Sequence, residues 1–181
     1  MIRKAICEEF PTLAKLFIDN VTESYITASE EEWGRTVNGK WKPNLYNIVL
    51  QEMIDRQEDV LILVLIHEEK IIGYTFSSLE TIPHLEDLMV DKSYRGKGLG
   101  SFLVRETIQY LELMGYKKFV VQISPKNIIS QNLMKKFETY PDINKINNIK
   151  QYFQEKLRKI YKNNNYIFSD DKLKNLSNIL H

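Results

Sequence analysis

Three glycines at alternate positions, placed directly before a helical pattern, constrain this chain more than any other feature. Gly96, Gly98 and Gly100 lie in the segment SYRGKGLGSF, residues 93–102. Residues 85–90 before them predict a β-strand, and residues 97–114 carry apolar side chains at helical spacing. The chain is therefore expected to run from a strand through a glycine loop directly into a helix.

Such a loop is suited to bind phosphate. The first turn of a helix has backbone N–H groups without internal partners, and the helix dipole adds positive charge there. Glycines let the backbone approach an anion closely, and Arg95 and Lys97 add cationic side chains. The G-x-G-x-G spacing differs from the dinucleotide fingerprint, and no lysine follows as in a P-loop. A tight turn with a purely structural role remains the alternative.

The other segments predict an α/β domain around this loop. A hairpin is expected from residues 60–66 and 71–79, and the first of these runs is continuously apolar, as in a strand buried on both faces. Further strands are predicted at residues 2–7, 85–90 and 117–123. Helices are predicted at residues 8–20, 29–35, 45–56, 97–114 and 127–140.

Composition excludes several classes of protein. The net charge is +1, which argues against a nucleic-acid partner or an anionic membrane surface. The longest apolar run has seven residues, 60–66, whereas a membrane helix needs about 18. Cys7 is the single cysteine, so no internal disulfide forms, and residues 1–10 lack a signal-peptide pattern. We expect a cytoplasmic protein without a metal site.

The composition changes after residue 140. Residues 141–181 contain eight asparagines and eight Lys+Arg against four Asp+Glu, with isoleucines at helical spacing. We predict a domain at residues 1–140 and a helical extension at residues 141–181 packed on it. A tail that binds a partner or a nucleic acid is the alternative.

Two motifs carry a resemblance to a known family. Residues 88–101, LMVDKSYRGKGLGS, resemble the acetyl-CoA signature of the GNAT superfamily of N-acetyltransferases. Residues 127–136, NIISQNLMKK, resemble the second motif of the same superfamily. The order of the elements over residues 1–140 also agrees. Glu86 and its neighbours before the signature are most similar to polyamine acetyltransferases.

The resemblance implies a fold, a co-substrate and a binding site. The fold would be a mixed, mostly antiparallel sheet with helices on both faces, splayed where acetyl-CoA binds. The co-substrate pyrophosphate would bind the backbone of the loop, the pantetheine arm would pair with the preceding strand, and an asparagine would contact that arm. The cofactor-binding residues implied are Leu88, Met89, Val90, Arg95, Gly96, Lys97, Gly98, Leu99, Gly100, Ser101 and Asn127.

The implied reaction is the direct attack of a primary amine, from a small molecule or a peptide, on the thioester of acetyl-CoA. Glu86 matches the family carboxylate that acts as base, often through water, and His84 is a rival. Strand alternation places Glu86 on the face of Leu88 and Asp87 on the other face. The family also includes many homodimers, so a homodimer is compatible with the resemblance.

Two departures keep alternatives open. Met134 stands where the family has a tyrosine acid, and methionine cannot donate a proton to the leaving thiolate. Either Ser130, Tyr140 or water replaces it, or the thiolate leaves unassisted; a non-catalytic acyl-CoA sensor is the alternative function. Residues 21–45 would set acceptor specificity. Within them the run Glu30–Glu32 is interpreted first as an acidic helix start and second as an attractor for a cationic amine.

Overall fold

A computed structural model describes residues 1–137 of the 181-residue chain. Residues Met1–Lys136 form one compact unit. The predictions for the extension at residues 141–181, for the boundary at residue 140 and for Tyr140 lie outside the described residues.

The described residues form seven strands and five helices. The strands are β1 (Ile2–Lys4), β2 (Thr36–Val37), β3 (Lys40–Trp41), β4 (Val60–His67), β5 (Lys70–Ser78), β6 (His84–Val90) and β7 (Val120–Val121). The helices are α1 (Phe10–Asn20), α2 (Ala28–Glu32), α3 (Leu45–Asp55), α4 (Leu99–Leu113) and α5 (Ile128–Met134). None of these helices is long and apolar enough to cross a membrane.

Five strands form the central sheet in the order β1-β4-β5-β6-β7. Neighbouring strands are antiparallel except β6 and β7, which are parallel. The parallel pair contains only His84 with Val120 and Leu85 with Val121, after which the two strands separate. The predicted mixed, mostly antiparallel sheet that splays beside the glycine loop is therefore confirmed.

Helices cover both faces of the sheet. On one face, α1 and α3 pack over Ile62, Val64 and Phe76, and this cluster forms the larger part of the core. On the other face, α4 packs over Leu61, Leu63 and Leu65 through its own leucines. The alternating residues of β4 thus face two apolar clusters, as its continuously apolar sequence predicts.

A β-bulge at Glu86 changes the expected alternation of β6. Phe76 pairs with Asp87 and Ser77 pairs with Leu85, so Glu86 is an extra residue without a partner on β5. Both Glu86 and Asp87 consequently reach the face covered by α3. The prediction that Asp87 points away from Glu86 was wrong, because strict alternation does not hold across a bulge.

Two other local predictions differ from the structure. A small hairpin, β2–β3, occupies part of residues 21–45, which we expected to be loop after the short helix. Its turn is Asn38-Gly39, with φ of +52° and +71°, a pair that favours the tight hairpin turn. β7 is only two residues long because β6 departs from it, and the rest of residues 117–123 has no partner strand within residues 1–137.

Candidate active site

The three glycines of the loop meet two different structural needs. Gly96 and Gly98 have φ of +76° and +77°, and a Cβ atom at either would meet nothing within 4 Å. Gly100 is different, because a Cβ there would lie 3.0 Å from Cδ1 of Leu133 on α5. The first two glycines shape an open backbone loop, and the third allows α4 and α5 to pack closely.

The loop presents its backbone donors at the start of α4. The first helical hydrogen bond runs from the N–H of Phe102 to the carbonyl of Gly98. Among the described residues, no acceptor pairs with the N–H groups of residues 96–101. Free N–H groups at the positive end of a 15-residue helix suit a diphosphate, so the residues present fit the pyrophosphate of CoA.

Arg95 does not stand at the mouth of the loop as a free cation. Its Nε donates to the carbonyl of Val90 at 2.9 Å, and its Nη2 donates to the carbonyl of Asn20 at 3.1 Å. The side-chain oxygen of Asn20 accepts from the N–H of Lys92 at 2.7 Å. The loop is therefore fastened to the C-terminal end of α1, and Arg95 tethers it while keeping its positive charge beside the loop.

The other cationic side chain of the loop, Lys97, stays exposed. Its Nζ lies 5.2 Å from the ring centroid of Tyr94, a cation–π contact. Ser101 follows in the first turn of α4 and is half-buried. Leu99 packs with Leu88 on the α4 face of the sheet.

The strand before the loop has an open edge. β6 pairs with β5 along its length, but β7 covers its other side only at His84 and Leu85. Residues 86–90 therefore leave one edge of the backbone without a partner strand among the described residues. Met89 is 3% exposed and its side chain belongs to the core, so only its backbone can meet a ligand.

A cleft of about 90 Å³ opens where β6 and β7 separate. Asn127, Ser130 and Met134 line one side of it. Asn127 caps α5, and its side-chain oxygen accepts from the N–H of Ser130 at 3.1 Å. Met134 is 8% exposed, so the position of the family tyrosine is occupied here by a buried thioether.

A buried network of charges lies beneath the other side of the cleft. Arg35 is 1% exposed and binds three carboxylates. Its guanidinium lies 2.9 Å from Asp87, 2.8 Å from Glu52 and 3.3 Å from Glu30. Tyr74 is fully buried and donates to Asp87 at 3.4 Å. Burial, followed by the negative charge of Asp87, raises the pKa of Tyr74.

Glu86 belongs to the same network through Arg56. Both carboxylate oxygens of Glu86 accept from this guanidinium at 2.7 Å, and the Glu86 side chain is only 3% exposed. Glu52 joins the two arginines, because its Oε1 also accepts from Arg56 at 2.8 Å. Burial raises the pKa of Glu52 more than Arg35 lowers it. Nothing in the sequence indicates this pairing between Glu86 and Arg56.

His84 and Trp33 form the border of the cleft. Their rings lie 5.9 Å apart, and together with Glu86 they also line a wider groove of about 860 Å³ along α3. Asp55 and Glu80 contribute further carboxylates to this groove. A molecule lying in the groove would thus reach the cleft at His84 and Glu86.

Glu30 is the residue of the acidic run that the sequence assigned to the wrong environment. It is 6% exposed and lines the cleft, whereas Glu31 and Glu32 are exposed. Burial is the main cause that raises the pKa of Glu30 to about 7, and Arg35 opposes it. Glu30 therefore lies in the acidic first turn of α2, as the sequence predicts, and is also a buried member of the site.

Sequence reasoning missed four residues that build this site: Asn20, Arg35, Glu52 and Arg56. The sequence contains two weak signals for these residues. Arg35 directly follows Trp33 and Gly34 in the acceptor segment, and Glu52 and Arg56 have the i,i+4 spacing of a helical ion pair. Neither signal identifies a partner 30 or 52 residues away in the chain, as in Arg56–Glu86 and Arg35–Asp87.

Comparison with known proteins agrees with this geometry. The model of the acetyltransferase (GNAT) family matches residues 18–138. No curated protein matches the chain. An N-acetyltransferase from Staphylococcus aureus Mu50 shares the fold with a TM-score of 0.58 and 23% identity, covering 76% of this chain and 81% of that one.

The N-acetyltransferase PaiA from Thermoplasma acidophilum, solved in complex with coenzyme A, has a TM-score of 0.59 and 20% identity. That match covers 75% of this chain and 86% of the other. A probable acetyltransferase matches over 80% of this chain and 92% of its own, with a TM-score of 0.56 and 17% identity. The matched family model spans β2 to β7, the glycine loop and α5, and the chain therefore belongs to the acetyltransferase (GNAT) family, whose co-substrate is acetyl-CoA.

Proposed function

We propose that this protein transfers the acetyl group of acetyl-CoA to a primary amine of a small molecule or a peptide. The observation that carries this proposal is the open glycine loop at the start of α4, beside the cleft between β6 and β7. A diphosphate on the loop would leave the rest of CoA directed along the open edge of β6 and into that cleft.

The proposed contacts follow from this placement. The backbone N–H groups of residues 96–101 would bind the pyrophosphate, and residues 88–90 would pair with the amides of the pantetheine arm as an added strand does. Asn127 would contact that arm, since its side-chain oxygen caps α5 and its amide nitrogen makes no hydrogen bond within the described residues.

The reaction needs a base that takes a proton from the amine and a donor that stabilises the departing thiolate. We assign Glu86 as the base that acts through water, because it lies where the groove meets the cleft. Its bidentate pairing with Arg56 fixes the carboxylate and leaves water as the group that touches the amine. Ser130 is one of the hydroxyls that line the cleft, and we assign it as the hydrogen-bond donor to the thiolate in place of the family tyrosine.

The groove along α3 supports a cationic acceptor. The carboxylates of Asp55, Glu80 and Glu86 line it, against one guanidinium, that of Arg56. This surplus of negative charge favours the approach of an ammonium group. A polyamine is the acceptor class that we favour on this ground. The homodimer and the cytoplasmic location stay predictions.

The test is an assay of acetyl transfer to a panel of monoamines, polyamines and peptides. Glu86→Gln should lower kcat by about 10²-fold or more, which is the usual contribution of a general base, while acetyl-CoA binds as before. Glu58→Gln, an exposed change on the connection before β4, is the matched control and should leave the rate unchanged.

Two outcomes would contradict the proposal. If the wild-type protein binds acetyl-CoA but acetylates no amine, the non-catalytic sensor is the better account. If folded Glu86→Gln retains the wild-type rate, the protein is a transferase but Glu86 is not its base. Thermal unfolding of the variant separates loss of the Arg56 pairing from loss of chemistry.

A further inference from the structure

Glu30 stands out among the carboxylates around the cleft. It lies on α2 at the cleft wall, and its side chain is 8% exposed. The neighbouring residue Ser29 hydrogen-bonds the side chain of Gln122, just after β7. This contact joins α2 to the far side of the cleft, so Glu30 is held over the region where β6 and β7 separate.

The pairing of each carboxylate oxygen distinguishes Glu30 from its neighbours. Glu86 uses both oxygens on Arg56, Asp87 uses both on Arg35, and Glu52 uses one on each arginine. Glu30 uses only Oε2, in a long contact of 3.3 Å with Arg35. Within the described residues its Oε1 has no partner, although more than nine-tenths of the residue is buried.

We propose that Glu30 is a further catalytic residue, whose Oε1 binds the ammonium group of the acceptor and receives its first proton. The inference rests on the proposed function and extends it. A primary amine arrives as an ammonium ion near neutral pH, and that ion has no lone pair with which to attack. One carboxylate must therefore accept a proton before attack, and Glu86 through water serves the later proton.

A proton moves from the ammonium nitrogen to Oε1 of Glu30, which leaves a neutral amine. The nitrogen attacks the carbonyl carbon, a C–N bond forms, and the C–S bond breaks with its electron pair on sulfur. The nitrogen then loses a second proton through water to Glu86, which later releases it to solvent. The thiolate takes a proton from solvent, directly or through the Ser130 hydroxyl, which regains one from water. Glu30 returns its proton to solvent when the product leaves.

The charges around Glu30 support this role. Arg35 faces it from one side, Asp87 and Glu52 raise its pKa by their negative charge, and His84 and Glu86 line the same cleft. Because burial is the largest cause, its pKa lies at about 7, near the pH at which a general base is most effective. The carboxylates of Glu30, Glu52, Glu86 and Asp87 outnumber the guanidinium groups of Arg35 and Arg56. An entering ammonium ion therefore reduces the local surplus of negative charge.

The pH dependence of kcat/KM at saturating acetyl-CoA tests the inference. The wild-type protein should show an acidic limb near pH 7, set by Glu30. Glu30→Gln should lower kcat/KM at neutral pH by about 10²-fold and shift the limb towards the pKa of the free amine, about 10. Near that pH the two proteins should have similar rates, because much of the amine is then already unprotonated in solution and does not need Glu30 to accept its first proton.

Matched variants separate this role from a structural one. Glu31→Gln, the exposed neighbour on the same helix, should keep the wild-type profile. Glu30→Asp should restore part of the kcat/KM that Glu30→Gln loses at neutral pH. Glu86→Gln should lower kcat/KM at all pH values. A uniform loss in Glu30→Gln, or a wild-type profile, would overturn the inference. If the wild type acetylates no amine, the proposed function itself has failed.

Discussion

Replacing Glu30 with glutamine should make the protein more stable, and the gain should grow as the pH rises. Burial raises the pKa of this carboxyl from 4.5 to about 7 in the folded protein. A change of one pKa unit corresponds to about 1.36 kcal/mol, so the difference between these two values amounts to about 3 kcal/mol. Arg35 opposes the shift but does not remove it.

The sign follows from proton uptake. Between its unfolded pKa and about 7, Glu30 binds more protons in the folded protein than in the unfolded chain. The wild-type free energy of unfolding therefore loses about 3 kcal/mol as the pH rises through this window, and it loses no more above it. Glutamine does not titrate, so the variant lacks this loss, while groups that do not interact with Glu30 titrate alike in both proteins and cancel in the difference.

The assay is urea unfolding of both proteins at several pH values from about 5 to about 8.5. The stability advantage of Glu30→Gln should rise by roughly 2–3 kcal/mol over this range, which shifts the urea midpoint clearly because m-values of small proteins are about 1–3 kcal/mol per molar. Glu31→Gln should show a constant difference from the wild type. If the stability difference between Glu30→Gln and the wild type is also independent of pH, burial does not raise the pKa of Glu30 and the claim is refuted.

Three further predictions concern the loop and the buried network. Gly98→Ala should destabilise the fold by about 1–2 kcal/mol, because φ is +77° there, and should weaken acetyl-CoA binding in calorimetry; unchanged affinity would show that the loop does not bind the ligand. Arg95→Lys should also weaken acetyl-CoA binding, because one ammonium group cannot replace a guanidinium that bonds two separate carbonyls. An unchanged affinity would mean that only the positive charge at this position matters. Asp87→Ala should cost about 3–5 kcal/mol in urea unfolding by leaving Arg35 underpaired, and a cost below about 1 kcal/mol would contradict the buried ion pairing.

Local patterns in the sequence were sufficient to predict the frame of the fold. The seven apolar residues 60–66 and the following run 71–79 predicted the central hairpin, because a hairpin depends on neighbours in the chain. The glycine loop and its helix followed from Gly96, Gly98 and the periodicity after them. The splay of β6 from β7 came from the family resemblance and not from periodicity.

The site was less predictable because its geometry depends on distant residues. The bulge at Glu86 leaves no mark in the alternation of residues 84–90, yet it brings Glu86 and Asp87 to the same face. Ion pairs such as Arg35–Asp87 join segments 52 residues apart, and a single sequence does not reveal such pairs. The burial of Glu30 has the same cause, because the sheet and Arg35 enclose a residue that local sequence marks as polar and exposed.

The most direct test of the central claim is thermal unfolding of the full-length protein with acetyl-CoA, CoA or NADPH. A ligand at about 100 times its Kd adds roughly 2.7 kcal/mol of stability, which a melting curve detects. We predict that both CoA compounds raise the Tm, that NADPH does not, and that Gly98→Ala reduces the shift. No shift with acetyl-CoA, or an equal shift with NADPH, would contradict the assignment of the glycine loop as an acetyl-CoA site.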